Sequence, residues 1–159
     1  VHLPFFVYGT LRPGGHYHAR YLGGRCEAVR PAVLTGAALH EGPGYPYVVL
    51  APDDPGQRVH GDLVTVRPAD YAAVLAALDE LEDCRPDGSG EYVRLRLPVL
   101  TGLPDLPAPA GLTAPAGLTA PAGLTDAWVY LAGPAEAARL RAAPAPIPSG
   151  NWLDRDRRP

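Results

Sequence analysis

The chain has little cysteine, no long apolar run and no cluster of positive charge, and each shortage removes a class of function. Cys26 and Cys84 are the two cysteines among 159 residues. They stand far apart, in neither a CxxC nor a zinc-ligand spacing, and read as ordinary cytosolic thiols. No stretch approaches the roughly 20 apolar residues needed to cross a bilayer, and no positive segment followed by a long apolar run opens the chain. No membrane association is expected, and the cytoplasm is the expected location. The 14 basic residues are outnumbered by 17 acidic ones, for a formal net charge of -3. No run of them could track a phosphate backbone, so nucleic acid is not an expected partner.

Proline and glycine are abundant instead, at 20 and 18 residues. Such numbers disfavour a long-helix bundle and favour short strands joined by tight loops. The length suits one domain able to bury a core without disulfides or a metal. Alanine supplies much of the 47% hydrophobic content, so Val, Leu, Tyr and Phe must build that core.

Leu3 to Tyr8 is a short apolar run closed by Gly9, a buried strand entering a turn. His16 to Leu22 reads as a helical turn. Val29 to Leu39, Tyr47 to Leu50 and Arg58 to Val66 read as strands bounded by Pro and Gly. Pro68 then suits a first helical position, and the spacing predicts a helix over 68–82. At about 100° per residue, Tyr71, Val74, Leu75, Leu78 and Leu81 share one face, and Glu82 falls on it too. Glu80 points the opposite way, with Asp79 and Asp83 at the flank. After the break at Asp87-Gly88-Ser89-Gly90, Tyr92 to Leu100 alternates as a strand with one solvated face. Ala108 to Thr125 is three copies of Ala-Pro-Ala-Gly-Leu-Thr, which cannot bury a continuous core and read as a surface loop within 104–125. A last strand over 127–131, a short helix over 135–142 and an extended 144–148 segment complete a domain over 1–152. A charged tail over 153–159 is expected to be flexible.

Two features carry chemistry. Glu82 is a carboxylate on an apolar face at a helix C-terminus; burial and the helix dipole both raise its pKa toward the range of a proton carrier. The loop Tyr8-Gly9-Thr10-Leu11-Arg12 follows a buried strand, and its glycine lets backbone N–H groups approach a carboxylate or oxyanion. Fraying of the helix end, or neutralisation by a cation such as Arg94, would cancel the first reading. His16 and His18 lack a third ligand at metal spacing, and Cys84 has no nearby His to activate it.

Together with Gly44-Tyr45-Pro46, Val59-His60-Gly61-Asp62-Leu63, Leu78-Asp79-Glu80-Leu81-Glu82 followed by Tyr92-Val93-Arg94, Trp128-Val129-Tyr130 and Ile147 to Trp152, the Tyr8 loop resembles the γ-glutamyl cyclotransferase-like superfamily. The short Tyr-Gly-Thr-Leu form is most similar to its γ-glutamylamine cyclotransferases and to the γ-glutamyl-removing enzyme of aminoglycoside biosynthesis. The resemblance implies an α+β fold, a mixed and mostly antiparallel sheet closing into a small barrel, with the Glu-bearing helix at its mouth. It implies a cofactor-independent release of 5-oxoproline and a free amine from a small γ-glutamyl substrate. Glu82 would be the general acid/base, Tyr8, Gly9, Thr10 and Leu11 would bind the γ-glutamyl group, and Tyr92 and Tyr130 would lie near the pocket. The stretch Asp83 to Glu91 is longer than in compact members. The competing expectations are a catalytically silent binding module on the same fold and an amidohydrolase yielding glutamate.

Overall fold

In a computed structural model the described residues are 2–103, 123–142 and 145–157. Five strands form a closed barrel in the order β1 (Phe5–Val7), β5 (Arg58–Val66), β2 (Cys26–Thr35), β6 (Tyr92–Thr101) and β7 (Gly123–Ala132). The ring closes where β1 runs parallel to β7, while its other pairs are antiparallel. Closure removes free sheet edges, and β1 is accordingly apolar and buried at all three positions. Gly61 makes the β1 approach possible, since a Cβ there would lie 2.4 Å from the Val7 carbonyl oxygen.

The expected strand over 29–39 is two strands. Gly36, at φ +66°, turns the chain between β2 and β3 (Ala37–Glu41); the apolar pattern continues across the turn and conceals it. β3 pairs with β4 (Pro46–Leu50) as a separate two-stranded sheet, placing Tyr45, Pro46 and Tyr47 beside the barrel mouth. The last strand begins at Gly123, so the end of the third repeat is paired strand. The remaining repeat residues, with Pro144, lie outside the described residues.

A short helix α1 (His18–Tyr21) follows the first loop, and α3 (Pro134–Arg141) starts on a proline. Helix α2 (Tyr71–Leu81) starts after a turn rather than at Pro68 and buries Tyr71, Val74 and Leu78. Its end is tightly specified. Cys84 N–H donates to Asp79 O at 2.8 Å and Asp83 N–H to Glu80 O at 3.2 Å, with Asp83 at φ +45°, the pair of bonds that defines a Schellman cap. Aspartate tolerates that left-handed conformation better than most side chains. The described part of the charged tail belongs to a 3₁₀ helix over Trp152–Arg157; Trp152, at its start, is buried, and the Arg155 guanidinium lies over its ring at 4.3 Å. None of the described helices is long and apolar enough to cross a membrane.

Candidate active site

A cavity of about 150 Å³ opens between the loop after β1, the C-terminal end of α2 and the start of β6. Tyr8, Gly9, Thr10 and Leu11 line one side; Glu82, Tyr92 and Tyr130 line the others. All seven residues singled out in the sequence therefore meet in one place.

The loop is held by its carbonyls. Gly9 O accepts from Arg12 N–H at 3.1 Å, Thr10 O from Tyr17 N–H at 2.9 Å, and Leu11 O from His18 Nδ1–H at 2.8 Å. By contrast, the N–H groups of Gly9, Thr10 and Leu11 donate to no acceptor among the described residues. Three successive N–H groups left over beside a cavity are a donor set of the kind that binds anions. Gly9 is also sterically required, because a Cβ would come within 2.6 Å of the Pro46 ring.

Below the loop, Arg12 Nε donates to Asp62 Oδ2 at 2.7 Å and Arg12 Nη1 to Asn151 Oδ1 at 2.9 Å. This buried bridge ties the loop to β5 and to the C-terminal segment. Arg12 is thus a structural cation.

Glu82 caps α2, so the Schellman bonds that end the helix also set the direction of its side chain. Its carboxylate makes no hydrogen bond or ion pair among the described residues. Burial, and secondarily the nearby negative charge of Glu91, push its pKa up to about 7. Arg94 does not neutralise it. That guanidinium donates to both oxygens of Asp79 at 2.6 Å and lies over the Trp128 ring at 4.9 Å. Tyr130 Oη donates to Asp79 as well, at 2.7 Å. The flanking carboxylate therefore absorbs the local cation and leaves Glu82 unpaired.

The phenols form the walls. Tyr8 Oη donates to Tyr130 O at 2.5 Å, and Tyr92 Oη to Pro46 O at 2.8 Å. Burial first, and neighbouring negative charge second, raise the pKa of both hydroxyls, which holds them as neutral donors. Seven further residues line the cavity that the sequence did not mark as site residues, Tyr45, Pro46 and Glu91 among them. Tyr45 Oη donates to Glu91 Oε1 at 2.7 Å, and Tyr47 Oη donates to the same oxygen. The signal was the Gly-Tyr-Pro motif and the position of Glu91 next to Tyr92, but only the packing of β4 against β7, with Tyr47 stacked on Tyr92 at 5.1 Å, brings them together.

No group of three or more His, Cys, Asp or Glu suited to a metal occurs among the described residues. His18 is engaged with the loop carbonyl and His16 packs edge-on against Tyr17 at 4.6 Å. Burial raises the Cys84 thiol pKa, the direction that suppresses a thiolate.

The structure is similar to that of YkqA from Bacillus subtilis, with 19% identity and a TM-score of 0.60, covering 97% of this chain and 40% of that one. The chain thus spans two fifths of the length of that protein. It is similar to an AIG2-like protein from Mus musculus, at 22% identity, TM-score 0.53 and coverage of 84% and 81%. An uncharacterized protein from Pyrococcus horikoshii matches at 17% identity and TM-score 0.53, over 98% and 92% of the two chains. These likenesses establish the fold. No curated protein matches the sequence. The family described as "Gamma-glutamyl cyclotransferase, AIG2-like" matches residues 5–154, nearly the whole chain including the loop, the capped helix and the cavity walls, and the chain belongs to that family.

Proposed function

We propose that the chain is a γ-glutamyl cyclotransferase that converts a γ-glutamyl amine or γ-glutamyl amino acid into 5-oxoproline and a free amine, with Glu82 as general acid and base. The observation that carries this reading is a carboxylate without a hydrogen-bond or ion-pair partner among the described residues, in the same cavity as three loop N–H groups without acceptors there; burial pushes its pKa up, to about 7.

The Gly9–Leu11 amides take the substrate's α-carboxylate and so fix the flexible γ-glutamyl chain in a bent conformer. Holding nucleophile and carbonyl together removes most of the entropic barrier of ring closure. Glu82 as carboxylate then accepts a proton from the α-ammonium. The freed amine attacks the side-chain carbonyl carbon, whose oxygen becomes an oxyanion. Glu82, now protonated, returns its proton to the departing nitrogen, the C–N bond breaks, and the five-membered lactam and an amine leave. Attack leaves the ring nitrogen with a second proton to lose; it passes through Glu82 to the released amine, which departs as an ammonium, so the lactam is neutral and Glu82 returns to its starting carboxylate. A pKa near the working pH serves both transfers. No step calls for a cofactor. The thiols Cys26 and Cys84 are free, which fits a reducing compartment, and we place the reaction in the cytoplasm.

The test is mass spectrometry of 5-oxoproline release from a panel of γ-glutamyl amines, run with the intact protein and with Glu82→Gln in parallel. Release that disappears in the variant is the expected result. Glutamate as the product, or undiminished release by the variant, would overturn the assignment.

A further inference from the structure

Asp79 belongs to the same motif as Glu82, yet no step of the proposed reaction uses it. Its half-buried carboxylate takes donors from two strands. From β6, Arg94 Nη1 donates to Oδ1 and to Oδ2 at 2.6 Å, and from β7, Tyr130 Oη donates to Oδ1 at 2.7 Å. The Asp79 carbonyl oxygen accepts from Cys84 N–H at 2.8 Å, one of the bonds of the helix cap. One residue thus ties the end of α2 to both strands and to its own cap.

Arg94 is the cation that this arrangement holds. It follows Tyr92 by two positions on β6, and alternate residues of a strand share a face, so it stands on the side that supplies the cavity wall. Asp79 and Glu82 are three positions apart on α2, which makes their side chains neighbours on the helix surface. Besides its burial, the Cys84 thiol responds to the charges of Asp79, Arg94 and Glu82, so the three charged groups share one neighbourhood. The guanidinium is nonetheless committed to Asp79 and to the Trp128 ring, 4.9 Å away.

No other cation stands in for it beside Glu82. None of the residues lining the cavity is Arg or Lys. Facing Glu82 are the phenols of Tyr8, Tyr92 and Tyr130, the Cys84 thiol and the Glu91 carboxylate. On α1, which packs against α2, His18 is bonded to the Leu11 carbonyl oxygen, and the Arg20 guanidinium lies over the Tyr21 ring at 5.4 Å. We infer that Asp79 is a positioning residue for Glu82: by gripping Arg94 it withholds from Glu82 the β6 cation that would otherwise pair with it. The inference rests on the cyclotransferase reading, since a proton carrier is the group that must stay unpaired.

A compensated pair of charges makes the expected effects opposite in sign. In Asp79→Asn the released guanidinium acts on Glu82 as an opposite charge within pairing reach, and the Glu82 pKa should fall from about 7 by about one unit or more. In Arg94→Gln the Asp79 charge is the one left uncompensated, and the pKa should rise. The double variant Asp79→Asn/Arg94→Gln removes both charges and should return the pKa close to wild type. A residue that only braces the helix would move all three variants the same way or not at all.

Glu82 is titrated directly by NMR of its carboxyl carbon, with Glu82→Gln identifying the resonance. The acidic limb of kcat/KM for 5-oxoproline release is measured on the same proteins and should shift with the titration. Opposite shifts that cancel in the double variant are the expected result. An Asp79→Asn titration that stays in place, or a fall that persists in the double variant, overturns the role and leaves the reaction class intact. Titrations that move as stated while no γ-glutamyl amide yields 5-oxoproline would instead sink the cyclotransferase reading, and the withholding of Arg94 would stand. Arg94→Gln probes the same pairing from the other side, so an Asp79→Asn protein that fails to fold does not shelter the proposal: a Glu82 pKa that does not rise in Arg94→Gln overturns it too.

Discussion

Asp62, under the Tyr8 loop, and Glu82, across the cavity from it, are both carboxylates drawn away from water, and in both desolvation is the largest influence on the pKa and raises it. Their neighbours differ. Asp62 is paired at 2.7 Å with Arg12, which pulls its pKa back down and anchors the bridge to Asn151. Glu82 has no such cation, and its charged neighbour is another carboxylate, Glu91. The buried Asp62 is thereby committed to holding the loop, and the half-buried Glu82 is left free to exchange a proton. Removing a group from water is common to both regions; the partner decides whether the result is structure or chemistry.

The largest effect that would sharpen this contrast is on turnover. Glu82→Gln should lower kcat by about three orders of magnitude, within the usual range for loss of a general acid/base, with an unchanged circular-dichroism spectrum. A drop below tenfold would erase the distinction. Arg12→Met strikes the other region. It leaves Asp62 buried without its cation, and urea unfolding should register a loss of about 3–5 kcal/mol; a loss under about 1 kcal/mol would mean the pair is not the anchor described here.

Stability against pH separates the two acids more finely. The pKa of Glu82 rises from 4.5 to about 7 on folding, so between those values the folded chain binds the proton that the unfolded chain releases. The contribution of this group to stability is therefore greatest below pH 4.5 and falls as pH rises to 7, by at most about 3 kcal/mol. Glu82→Gln lacks that fall. It should match wild type in urea at pH 4.5 and exceed it at pH 8, with the raised pKa of Asp62 cancelling in the difference because both proteins share it. A gap that does not open with pH would contradict the desolvated state of Glu82. The smallest expected effect is at Gly9. A Cβ 2.6 Å from Pro46 must push the loop or the β3–β4 sheet aside, so Gly9→Ala should raise KM about tenfold, the rate equivalent of ~1.4 kcal/mol, with a smaller change in kcat.

Much of this was legible in the chain itself. The strands of the barrel could be read because short apolar runs stand between Pro and Gly, and α2 because Tyr71, Val74 and Leu78 repeat at helical spacing. Glu82 could be singled out because it continues that face. The helix dipole had been expected to help raise its pKa, whereas burial and Glu91 are the causes found. Glu91 was missed because it stands ten positions after the last residue of α2 in no periodic pattern, at the end of a turn-rich stretch whose path depends on the Asp83 cap and on close packing at Gly90 and Gly133.

The sequence by itself determined the element types, the apolar side of α2 with Glu82 on it, and the glycine that lets the loop approach a ligand; these depend on local periodicity and on backbone sterics, which neighbouring residues carry. Only the tertiary structure decided that Arg94 goes to Asp79 rather than to Glu82, that Arg12 is buried against Asp62, and that Tyr45, Tyr47 and Glu91 converge. Charge pairing and desolvation depend on distances between residues tens of positions apart, and those distances exist only once the barrel has closed.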